Sequence, residues 1–177
     1  MRKPNIYLPT SPKTALQSYN PGAMYSDFFF LPYTDDTPLR ILKLAMDKIE
    51  NVYMKNEKCN KAYYYALKNS MRDPVDLKAL WDDNIWIGYD KRPSNTQRAW
   101  TNKVGGNYIA IRSTTFDKGV IWVISAILHE LAHVAGFHDE PLSQAIACYC
   151  GLPENVCLYA ISKKDYNELL KSGTLSK

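Results

Sequence analysis

The three histidines of this chain, His129, His133 and His138, stand within ten residues of one another. Glu130, Leu131 and Ala132 separate the first two, and Ala126, Ile127, Leu128, Val134 and Ala135 around them are uncharged. Residues four apart on a helix project from one face, one turn apart, so both imidazoles can reach a single ion. Glu130 projects beside the first of them. From there it can take a proton from a metal-activated water and later give it to a leaving amine. Two imidazoles and a carboxylate buried in one place cost free energy unless something compensates, and a cation is the simplest compensation. The expected chemistry is therefore peptide-bond hydrolysis, with His129 and His133 holding Zn2+ and Glu130 as general base.

The third ligand is less determined. Neutral imidazole is a common zinc donor, which favours His138, with Asp139 as the alternative. If His138 binds, Asp139 is left to orient a ligand or to cap the helix that Pro141 begins. Glu140 and Glu154 are further carboxylates downstream. Glu140 is very close in sequence and Glu154 follows Pro153 in a loop, so neither fits the spacing well.

The segment from His129 to Glu140 resembles the metzincin motif H-E-x-x-H-x-x-G-x-x-H/D, with Gly136 on its glycine and Asp139 on its third-ligand position. The pair His138-Asp139 is also similar to the "HD" that follows the H-E-L-A-H helix in the WLM branch of zincins, related to the Spartan-type proteases, with one residue deleted. The resemblance covers roughly residues 105 to 150. It implies a zincin metallopeptidase, an endopeptidase rather than an exopeptidase. The chain departs from metzincins in one respect: all five methionines precede the motif, so no Met-turn can floor the site. Cys148, Cys150 or Cys157 would have to serve there. Zincins commonly bind peptide as an added strand on the sheet edge upstream of the catalytic helix, and the resemblance puts residues 107 to 113 in that place. Tyr149 or Tyr159 could donate to an oxyanion, as tyrosines do in several zincins.

The elements that must position these residues are partly readable. Thr37 can cap a helix with Pro38 at its first position, and Leu39, Leu42, Ala45, Met46, Ile49, Val52 and Tyr53 mark one face. Further helices are expected over 61–70, from an Asp73 cap with Asp76 three residues on, and from the Ser162 to Asp165 cap to about Lys171. Residues 84–89 read as a strand, and 107–113 alternate with a period of two. Asp117 can cap the apolar helix over 120–135, which Gly136 stops, and Glu140-Pro141 starts another that ends at Cys150-Gly151. The fold class expected is α+β: a small zincin-like domain, with a short mixed or antiparallel sheet packed on helices.

Residues 1–36 carry five prolines and many aromatics without a helical period, and read as an extended arm ahead of a domain over 37–177. Such an arm lies along its own domain or docks on an assembly partner. In the second case the chain would be a structural or binding module with a zincin fold. A net charge of +4, with basic residues scattered, gives no stripe for nucleic acid, which stays a secondary partner behind a protein or peptide substrate. The start of the chain lacks the apolar segment of a secretory signal, and the longest apolar run, over 120–128, is too short to span a bilayer. The expected location is intracellular, away from membranes. The four cysteines match no zinc-knuckle spacing and are expected to be buried free thiols, or to pair Cys157 with a neighbour.

Overall fold

A computed structural model describes residues 2–12, 29–69, 73–82, 84–158, 161–172 and 175. Among them the chain forms β1 (Asn5–Ile6), α1 (Asp36–Lys48), α2 (Glu57–Asn69), α3 (Leu77–Leu80), β2 (Trp86–Asp90), β3 (Ala99–Thr101), β4 (Tyr108–Arg112), α4 (Ser113–Asp117), α5 (Val120–Val134), α6 (Glu140–Tyr149), α7 (Glu154–Cys157) and α8 (Lys163–Lys171). This is an α+β fold with a four-stranded mixed sheet in the order β1-β2-β4-β3. The β1-β2 and β2-β4 pairs are parallel and β3-β4 is antiparallel.

Local chemistry explains most element ends, and corrects several expected ones. α1 starts one residue ahead of Thr37, at Asp36, where a carboxylate suits the positive helix end and Pro38 needs no donor. Ile49–Tyr53 continue it as a π-helical turn. The cap of α3 is Asp76 itself, whose Oδ1 accepts from Ala79 N at 2.8 Å, and not Asp73. Asp117 ends α4 instead of capping α5, because the chain reverses at Gly119 with φ 96°, a conformation that favours glycine. Ser162 caps α8 as expected, accepting from Asp165 N at 3.0 Å.

α5 is buried from Val123 to His133 and lies at the centre of the molecule. It packs on α1, on α6 and on the face of the sheet that carries Ile87, Ala99, Ile109 and Ile111. Tyr63 of α2 donates to Leu128 O at 2.6 Å, which anchors the helix one residue before His129. The other face of the sheet holds Phe30, Tyr108 and Ala110, with Tyr7, Trp86 and Trp100 around them. A Cβ at Gly88 would come within 2.5 Å of the Phe30 ring, so glycine in β2 is what lets that ring lie flat on the strand.

The described parts of the 1–36 segment are therefore built into this domain. β1 pairs with β2, Leu31 bridges to Tyr89, and Tyr33 is buried with its hydroxyl donating to Gly88 O at 3.0 Å. Residues 13–28 lie outside the described ones.

The cysteine expectation holds for Cys148 and Cys157 and is overturned for Cys59 and Cys150. Cys59 of α2 and Cys150 at the end of α6 form a disulfide across a sequence separation of 91, while Cys148 and Cys157 are free and buried. Cys59 looks isolated along the sequence only because its partner is brought to it by the packing of α6 on α2. No helix among the described residues is long and apolar enough to cross a membrane.

Candidate metal centre

The spacing of His129 and His133 on α5 places both imidazoles on the side facing α6. Their Nε2 atoms are 3.2 Å apart. Across from them stands Glu140, at the first position of α6, with Oε2 2.9 Å from His129 Nε2 and Oε1 3.3 Å from His133 Nε2. One donor atom from each of the three residues lies within 4.8 Å of the other two. Glu140 reaches the histidines because Gly136 (φ 101°) turns the chain sharply after α5, so that α6 runs back along it. The histidines are nearly buried, at 9% and 8% exposure, whereas the Glu140 side chain is 66% exposed. The open side of the cluster is thus the carboxylate side.

His138 does not join this cluster. It is exposed and lines the cleft in front of it. Asp139 turns away and caps α6, its Oδ1 accepting from Leu142 N. Glu154 is held on the surface by Lys163 at 2.8 Å. Tyr149 lies under Lys58, 4.4 Å from its ring centre, and does not line the cleft; Tyr159 lies outside the described residues. Of the cysteines suggested as a floor, Cys150 is in the disulfide, and neither Cys148 nor Cys157 lines the cleft.

Each histidine is also fixed from behind. His133 Nδ1 lies 2.8 Å from Phe137 O, a carbonyl that can only accept, so the proton sits on Nδ1. His129 Nδ1 lies 3.0 Å from Gln144 Oε1, one turn beyond Glu140 on α6. Both Nε2 atoms are left to face each other and the carboxylate, an arrangement that needs a proton or a cation between them. The donor set of two imidazoles and one carboxylate is one that zinc takes. In the metal-free protein a proton fills the need. Burial alone would lower the His133 pKa, but the Glu140 hydrogen bond, the Glu130 charge and the Phe137 carbonyl raise it to about 9. Hydrogen bonds from His129 and His133 hold the Glu140 carboxyl well below the usual carboxylate range, against its burial.

Glu130 is 5% exposed and lines the same cleft. Its Oε2 accepts from Thr101 Oγ1 at 2.7 Å, so β3 orients it. The expectation that residues 107–113 form the substrate-facing edge is overturned, because β4 lies inside the sheet between β2 and β3. The edge is β3, three residues too short to announce themselves by period. Arg112 N bonds Arg98 O and Asn102 N bonds Tyr108 O, so the even-numbered residues face β4. By the alternation of an antiparallel ladder, the backbone groups of Ala99 and Thr101 point outward along the cleft. The turn after β3 is tied to α5 by Gly105 N donating to His133 O at 2.8 Å.

Three participants escaped the sequence reading: Gln144, Arg98 and Thr101. The signal for Gln144 was its place four residues after Glu140, on the same face of a helix that starts right after the motif. For Arg98 and Thr101 no local signal exists, since only the sheet brings them to α5. Comparison with known proteins gave no match to a family model, a curated protein or a solved structure.

Proposed function

We propose that this chain is a zinc-dependent peptidase, with His129, His133 and Glu140 as the metal ligands and Glu130 as general base. The observation that carries the reading is the convergence of two Nε2 atoms and a carboxylate beside Glu130, under an outward-facing strand edge. When bound, zinc supplies Lewis acidity, which lowers the pKa of a water from about 15.7 towards 7 and polarises a carbonyl. The protein's own residues do the rest. Ala99 and Thr101 offer main-chain donors and acceptors to an extended peptide, laying its scissile bond across the cleft. Thr101 holds one oxygen of Glu130, leaving the other to accept the proton of the attacking water and pass it to the departing amine. The cleft, of about 460 Å³, takes a few residues of an extended chain. This reading replaces His138 and Asp139 by Glu140 as third ligand, a gluzincin-like arrangement.

Purified protein should carry about one zinc per chain, and His133→Ala should lose it. Glu130→Gln should keep zinc and lose cleavage of a broad peptide library. A metal-free wild type overturns the proposal. A zinc-loaded wild type that cleaves nothing replaces it with the binding-module reading.

A further inference from the structure

Resting on the zinc reading, we propose that Gln144 is the positioning residue of the metal centre: clamped by Arg98 and the Cys157 carbonyl, it fixes His129 as the tautomer that presents Nε2 to the metal, and it does so with a neutral oxygen.

The amide's orientation follows from its three contacts. One amide atom is 2.7 Å from Cys157 O, which can only accept, so that atom is the nitrogen Nε2. The other is 3.0 Å from an Arg98 guanidinium nitrogen, which can only donate, so it is Oε1. The same oxygen lies 3.0 Å from His129 Nδ1. An amide oxygen cannot donate, so a proton is on Nδ1, and Nε2, beside Glu140 and His133, is the ring atom left for a metal. Gln144 has no exposed surface, and no solvent competes for these bonds. Arg98 is in turn held by Ser125 Oγ at 2.8 Å, one turn before His129 on α5. This accounts for the single hydroxyl in an otherwise apolar run.

The chemical consequence lies in the charge. A carboxylate behind a histidine raises its basicity and strengthens its bond to a metal. Here the acceptor is a neutral amide oxygen shared with a guanidinium, so it adds no negative charge behind His129. The cluster then offers the metal one negative charge, from Glu140, and leaves it a stronger Lewis acid.

Two measurements on the full chain test this. Zinc affinity, read by competition with a chromogenic chelator, should fall about 10–100-fold in Gln144→Leu, which keeps bulk but cannot accept. Nitrogen-15 NMR of the histidine rings in the zinc-loaded wild type should show His129 with a proton on Nδ1 and the metal on Nε2. That readout needs no variant, and a merely structural glutamine would not require it. Affinity in Gln144→Leu within about twofold of wild type, or a His129 ring bonded to metal through Nδ1, overturns the proposal while leaving the zinc reading intact. A wild type that binds no zinc overturns both.

Discussion

At the scale of single residues, the centre separates groups that one sequence stretch puts side by side. His138, Asp139 and Glu140 are consecutive, yet only Glu140 faces the histidines. Asp139 is used up by its cap on Leu142 N, and that cap points the next side chain back towards α5. His138→Ala should therefore leave zinc affinity within about twofold of wild type. Glu140→Ala removes the proposed third ligand, and should weaken zinc by roughly 100-fold or more, beyond the about 10–100-fold that loss of an outer hydrogen-bond partner costs. Equilibrium competition at fixed pH distinguishes the two. A large loss in His138→Ala would restore the histidine as ligand.

At the scale of elements, the site is a meeting of α5, α6 and β3, and these were not equally legible. α5 could be read because its apolar run is long and Gly136 ends it. α6 could be read from Glu140-Pro141 and Cys150-Gly151. Their relative placement could not, because it depends on the backbone angle at Gly136, and that angle decides which of three adjacent side chains faces the histidines. β3 was invisible: Ala99-Trp100-Thr101 is too short for a period, and becomes a strand only by pairing with β4. Its outward groups carry a prediction. Ala99→Pro removes a main-chain donor that faces the cleft, and it leaves the bonds to β4 in place, as proline at an edge strand can. Zinc content should be unchanged, while the KM for extended peptides rises by about tenfold, the worth of one hydrogen bond of roughly 1.4 kcal/mol. An unchanged KM would mean that peptide does not run along β3.

At the scale of the whole molecule, the Cys59–Cys150 bond ties together residues 91 apart in sequence. By loop-closure entropy, a bridge across 91 residues stabilises the fold by about 4–5 kcal/mol. In a domain of this size that corresponds to roughly 10 °C in Tm, so Cys59→Ser should lower the thermal midpoint by about that much. Unfolded, unreduced protein should titrate two thiols, Cys148 and Cys157, and a count of four would contradict the pairing. The bond has one more consequence, which follows from connectivity alone. Residues 59 to 150 form a covalent ring that contains His129, Glu130, His133, Glu140 and Gln144. If a peptidase of this kind clips itself or a sister molecule once inside the ring, for instance in the exposed stretch near Asn95, no fragment departs. The nicked chain would run at full mass on a non-reducing gel and separate into two pieces only when a thiol is added.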